Sequence, residues 1–238
     1  MIKNTYHKEG EGNGHEVSVT RVNAGASSAY PGKFIVVEGL DGSGQTSQTS
    51  LLKDFFIEKG YQVVLTKEPT QDSEAGKKIK EILEKKIETN PLELQKLFAE
   101  DRKEHLENTI IPALKQGKMV ISDRYFLSTF AFGTAHGADL NELIEMNDNF
   151  LLPDLIFLLK VNPKVCIRRI EKRGDPKTLF EKEEKLAKVW EIYKILPNKI
   201  DNIYMIDGEE SIEEVFEQIE KVVVEKIFTL GSEDEIKT

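Results

Sequence analysis

Short, nearly continuous apolar runs separated by longer polar segments leave a chain few ways to fold. Five such runs stand in this one, at Phe34–Val37, Gln62–Leu65, Met119–Ser122, Leu155–Leu159 and Ile203–Ile206. A strand apolar on both sides must be covered on both faces, which is the environment of a parallel sheet between helices. The intervening segments carry helical patterns near 46–59, 74–87, 91–116, 139–149, 163–173, 178–196 and 211–228. Pro91 and Pro163 are suited to helix starts, Gly60 and Gly117 to helix ends. Strands alternating with helices predict a doubly wound α/β domain whose ligand sits at the carboxyl ends of the strands.

At 238 residues the chain suits one globular domain. With 33 Lys+Arg against 42 Asp+Glu its net charge is −9, which argues against nucleic acid or an anionic membrane as the main partner. One cysteine, Cys166, excludes an internal disulfide, and four scattered histidines make a His-based metal site a poor expectation. No run approaches the roughly 18 to 20 apolar residues of a membrane span, and the polar N-terminal segment has no signal-like apolar core. A soluble, cytoplasmic protein is expected. Residues 1–32, rich in Gly, Asn and Ser, are expected to form a flexible extension, 33–230 the domain, and 231–238 a polar tail.

The strongest local signal follows the first run: Glu38-Gly39-Leu40-Asp41-Gly42-Ser43-Gly44-Gln45-Thr46. Gly39, Gly44 and Thr46 fit the phosphate-binding pattern G-x-x-x-x-G-K-[ST], with Gln45 in the lysine position. Glycines let backbone N–H groups turn inward, and the helix N-terminus adds partial positive charge, so a phosphate can be held without a side chain. Thr46 is placed to put its hydroxyl on Mg²⁺. Gln45 can donate a hydrogen bond but carries no charge, so a catalyst would need a cation from elsewhere. A tight strand-to-helix turn would use the same glycines.

Further segments fall at strand ends or on the third helix. FIVVEGLDGSGQTSQ, LTKEPTQ, KLFAEDR, DRYFLSTFAFGT, PDLIFLLKVNPKVCIRRIEKR and IDGEESIEEV occur in that order between Lys33 and Phe228. Together they resemble the thymidylate kinase family of nucleoside monophosphate kinases. The resemblance implies a P-loop NTPase fold, a three-layer α/β/α sandwich on a five-stranded parallel sheet with a short mobile lid, here about 173–185. It implies phosphorylation of dTMP to dTDP, with ATP as donor and Mg²⁺ as metal, in a homodimer.

Matched by position, the resemblance assigns ATP to Gly39, Leu40, Asp41, Gly42, Ser43, Gly44, Gln45, Thr46 and Ser47, and the metal to Thr46 and Asp123. Asp41, Lys67, Phe98, Arg102, Arg124, Ser128 and Phe132 face the nucleotide acceptor: Phe98 stacks on the base, Arg102 bonds its edge, and Arg124 clamps the acceptor phosphate. Phe98 and Arg102 are spaced to share one helix face. Asp41, Gln45, Arg124 and Lys177 take the catalytic positions, Lys177 as a lid cation alongside Arg169, Arg173 and Lys182. Core packing would also account for Phe98, a salt bridge for Asp123-Arg124, and a solvated helix face for the lid cations.

Lys67 stands where the family has an arginine before Glu-Pro and Gly42 where one subgroup has a loop arginine, and two further departures bear more directly on activity. Phe132-Gly133 stand where the family has Tyr-Gln, removing one base-reading amide, and Gln45 replaces the lysine. The first leaves another monophosphate such as dUMP open as acceptor; the second leaves open a nucleotide-binding protein with impaired catalysis.

Overall fold

The computed structural model describes residues 29–174 and 182–228. Within them a five-stranded, wholly parallel sheet has the order β2-β3-β1-β4-β5. The strands are β1 (Lys33–Gly39), β2 (Val63–Lys67), β3 (Met119–Asp123), β4 (Leu155–Lys160) and β5 (Ile203–Asp207). β1 lies at the centre because its side chains are apolar in both directions. Phe34 and Val36 enter one core and Ile35 and Val37 the other, all fully buried. β2 and β5 close the edges, and Leu65 and Met205 there are 41% and 42% exposed.

One face is covered by α1 (Gln45–Glu58) and α9 (Ile212–Val223), which contribute Leu52, Phe56, Val215 and Ile219. The other carries α2 (Glu74–Leu83), α3 (Pro91–His105), α4 (Ile111–Lys115), α5 (Phe126–Ala135), α6 (Leu140–Asn147), α7 (Pro163–Arg173) and α8 (Glu183–Tyr193). This is the three-layer arrangement that the alternating pattern predicts. Local chemistry sets the ends: Ser73, Asn90, Asp139, Asn162 and Ser211 accept backbone N–H bonds at the starts of α2, α3, α6, α7 and α9, and Gly174 closes α7 in a left-handed turn.

Two elements differ from expectation. The segment 91–116 is not one regular helix: a π-helical turn, Leu106–Ile110, separates α3 from α4. Pro112, which has no N–H, sits in the first turn of α4, so the regular bonding pattern cannot run through it. α5 falls outside the expected helices because seven of its ten residues are buried, leaving no polar stripe to mark a helical period.

The expected extension 1–32 lies outside the described residues as far as position 28, whereas Gly32 N–H donates to the Leu114 carbonyl at 3.0 Å. The tail 231–238 and residues 175–181 of the expected lid also lie outside them. Cys166 is fully buried, and burial pushes its thiol up to about 12, which removes it from nucleophilic chemistry.

Phe157, fully buried on β4, belongs to the core under α1 and α9. Phe157→Ala is expected to destabilise the protein by about 3–5 kcal/mol through lost transfer energy and a cavity. Denaturant titration checks this, and a loss under about 1 kcal/mol would contradict the packing described.

Candidate active site

The loop after β1 is shaped by close approach. Gly42 has φ +83°, and a Cβ there would lie 2.6 Å from the Cys166 carbonyl oxygen of α7. Ser43 N–H bonds the Leu40 carbonyl at 2.9 Å, and Gly44, in a left-handed conformation, precedes the first turn of α1. Leu40 sends its side chain into the core, so it can offer a nucleotide only backbone. Thr46 and Ser47 are exposed at the helix start.

Gln45 is turned inward. Its amide Nε2 donates to the Gly39 carbonyl at 3.0 Å, and its Oε1 accepts from the Ser43 hydroxyl at 3.1 Å. The residue in the lysine position therefore braces the loop from inside. Arg169 of α7 donates to the Ser43 and Gly208 carbonyls, and with Arg173 it lines the cavity in front of residues 42–48. Of the expected lid cations these two are brought to the loop; Lys177 falls outside the described residues.

Thr46 Oγ1 donates to Asp123 Oδ2 at 2.6 Å, and Lys67 Nζ lies 3.5 Å from the same oxygen. No group of three or more His, Cys, Asp or Glu with metal-binding geometry occurs among the described residues. A hydroxyl and a carboxylate side by side still fit Mg²⁺, a hard cation that takes one or two protein oxygens and completes its shell with water and phosphate oxygens.

Arg124 occupies the hinge between β3 and α5. Its φ of +78° is rare for a side-chain-bearing residue, and Ser122 Oγ fixes the strained peptide by donating to the Arg124 carbonyl at 2.7 Å. The guanidinium donates to Asp41 Oδ1 at 2.6 Å, and to the Gly39 carbonyl and Ser128 Oγ at 2.9 Å each. Burial opposes its charge, but Asp41, Tyr193, Asp123 and Glu38 outweigh that and hold its pKa above the ordinary value.

Beneath Arg124 lies Glu38, fully buried. One oxygen accepts the N–H groups of Tyr125 and Ser128, at 2.8 and 3.2 Å; the other accepts the hydroxyls of Ser128 and Tyr193, at 2.6 and 3.1 Å. Sequence reasoning passed over Glu38 and Tyr193. A carboxylate closing an apolar strand signals the first; the second comes from α8, far along the chain, and has no local signal.

Asp41, Lys67, Phe98, Arg124, Ser128 and Phe132 line one cavity of about 190 Å³, so the structure brings six of the seven expected acceptor residues together. That volume is below the roughly 300–1,000 Å³ that encloses a whole drug-sized ligand, so the cavity suits one ring with its neighbouring groups. Arg102 is placed behind the wall at 1% exposure. It bonds Glu68, Asn147 and Thr129, of which Thr129 and Glu68 line the cavity.

A parallel α/β sheet, a glycine loop opening a helix and a neighbouring cavity walled by Arg124 define a protein of the P-loop, nucleotide-binding class. The family model for thymidylate kinase matches residues 37–219. The chain is 43% identical over 205 residues to the probable thymidylate kinase of Pyrococcus horikoshii, covering 84% of this chain and 99% of that one. It is 35% identical over 198 residues to the thymidylate kinase of Caldicellulosiruptor saccharolyticus, covering 81% and 96%. The solved Candida albicans thymidylate kinase, described as revealing the origin of broad substrate specificity, superposes with a TM-score of 0.67 at 26% identity over 81% of this chain and 91% of that one. The chain belongs to the thymidylate kinase family.

Burial raises the Glu38 carboxyl above its ordinary value, against the lowering influence of Arg124, the Ser128 hydroxyl and the Tyr125 and Ser128 N–H groups. A carboxyl raised by folding stabilises the fold while protonated, and that contribution is lost as pH rises through the folded value. The stability of the parent protein relative to Glu38→Gln should therefore be greatest at acid pH and shrink as pH rises. Denaturant titrations of both proteins from about pH 4 to about pH 8 check the sign, and a constant difference would refute it.

Proposed function

We propose that this protein transfers the γ-phosphoryl group of ATP to dTMP, giving ADP and dTDP. One observation carries the reading: the Gly39 carbonyl accepts from Gln45 on the loop side and from Arg124 on the acceptor side. A single peptide thus ties the phosphate loop to the cavity, and the donor and acceptor phosphates would meet across it. Phosphoryl transfer asks for such positioning and charge stabilisation, and the acceptor oxygen is already ionised, so no general base is required.

ATP phosphates are held by the backbone N–H groups of the loop and the N-terminus of α1. Arg124 bridges the transferred group and the acceptor phosphate through its planar fork of donors, while Asp41 orients that fork and approaches the acceptor sugar. Phe98 takes the face of the base, with Phe132 and Ser128 flanking it. Arg102, one helical turn from Phe98, does not reach the base edge that the family resemblance assigns to it: it is bonded to Glu68, Thr129 and Asn147 behind the cavity wall and holds that wall in place. Thr46 and Asp123 would hold Mg²⁺, which supplies charge neutralisation on the donor phosphates. Lys67 adds positive charge beside Asp123.

The cation that Gln45 lacks comes from α7 and the segment after it, with Arg169 and Arg173 at the loop cavity and Lys177 in the lid. Closure of that segment would exclude water from the reaction. The working form as a homodimer in the cytoplasm is implied by the family resemblance alone.

A coupled ADP-release assay with dTMP, dUMP and dCMP in turn tests the reading. Turnover is expected with dTMP, and Arg124→Ala should cut kcat by on the order of 100-fold or more. ATP and dTMP binding without turnover of any acceptor would overturn it. Lys177→Ala is expected to slow the enzyme on the order of 100-fold, and far less when combined with Gln45→Lys. Additive effects of those two changes in single-turnover rates would show that Lys177 does not replace the missing charge.

A further inference from the structure

Gln95 stands one helical turn before Phe98 on α3 and lines the same cavity. It is 2% exposed, and its amide oxygen is buried with no hydrogen-bond partner. Leaving such a group unpaired costs free energy, so a native structure that tolerates one in a ligand cavity calls for an explanation. The catalytic scheme above makes no use of it.

Space for the amide comes from the residue opposite. A Cβ on Gly133 would lie 3.0 Å from Gln95 Cγ, 3.2 Å from its Cδ and 2.7 Å from Leu143 Cδ1. Gly133 has ordinary helical backbone geometry in α5, so its lack of a side chain is explained by this approach and not by a turn. The glutamine and the glycine make one packing unit, with the amide seated where a side chain from α5 would otherwise stand.

We infer that Gln95 is the residue that reads the edge of the pyrimidine, its amide oxygen accepting the imide N3–H and its amide nitrogen donating to an adjacent ring carbonyl. This rests on the assignment of the cavity as the base site. Phe98 offers a face for stacking, and Gln95, next to it on the same helix, offers the two-atom donor–acceptor edge that an imide matches. The terminal torsion of a glutamine is broad, so rotation brings either amide atom to the cavity. Among the described residues the cavity wall supplies no other carboxamide, and the Glu68 carboxylate of that wall is bonded to Arg102. Glycine at 133 therefore relocates the base-reading amide onto the neighbouring helix.

The test compares dTMP with N3-methyl-dTMP, which lacks the N–H, in the parent protein, in Gln95→Leu and in Gln95→Glu. Gln95→Leu keeps the bulk and loses the amide; Gln95→Glu keeps an acceptor oxygen in either protonation state. KM for dTMP should rise about 10-fold in Gln95→Leu, stay within about threefold of the parent in Gln95→Glu, and KM for ATP should be unchanged in both. N3-methylation should weaken binding about 10-fold more in the parent than in Gln95→Leu, a coupling that a merely structural role would not produce. An equal N3-methyl penalty in parent and Gln95→Leu overturns the inference, as does Gln95→Glu behaving like Gln95→Leu with parental thermal stability. If the parent protein itself neither binds nor phosphorylates dTMP, the base-site assignment fails instead.

Discussion

The carboxylate of Glu38, buried at the end of the central strand, has four donors converging on it from two helices and the turn between β3 and α5. Desolvating a carboxylate is costly unless its lone pairs are satisfied, so each of those donors must stay where it is for the fold to hold. The consequences spread outward. Tyr125 N–H is fixed, which sets the direction in which α5 leaves the sheet. The Ser128 hydroxyl is fixed, which gives Arg124 one of its acceptors, and Tyr193 is drawn in from α8 at the far side of the site.

Arg124 and Arg102 show two uses of the same side chain. Arg102 is enclosed, its donors directed at Glu68, Thr129 and Asn147 and its plane lying over the Tyr125 ring at 5.0 Å. Such a group fixes the wall of a cavity. Arg124 has a side chain 13% exposed and is bonded through Nη1 and Nη2 to Gly39, Ser128 and Asp41. A guanidinium has five N–H donors, so among the described residues Arg124 keeps capacity, Nε included, for oxygens that arrive with a substrate. Partial saturation keeps it oriented before the ligand binds, which lowers the cost of ordering it afterwards.

Much of this was legible in the sequence, for identifiable reasons. Apolar runs specify a two-sided sheet because burial on both faces leaves no polar alternation, and the central strand obeys this at Phe34 through Val37. The glycine loop is legible because its backbone geometry restricts residue type locally. α5 was not, since a helix buried nearly all round gives no period to read. Gln45 was legible as a departure from pattern, but its inward pairing with Gly39 and Ser43 depends on the loop's closed shape. Glu38–Tyr193 and Gln95–Gly133 are pairings between distant segments, and spacing along a chain carries no information about them.

Gln45 and Gly133 look like separate losses when each is compared with a pattern at its own position. In space, each has a residue of the missing chemistry beside it. Arg169 approaches the loop from α7 and bonds the Ser43 carbonyl, bringing a cation to the neighbourhood where the lysine is missing. Gln95 approaches Gly133 from α3 and brings an amide. The constraint on a phosphoryl-transfer site is the charge and the donor set that surround the reacting groups, which any adjacent helix can supply. A motif records one chain position from which that requirement can be met, and on the function proposed above Arg169 and Gln95 are the positions from which this protein would meet it.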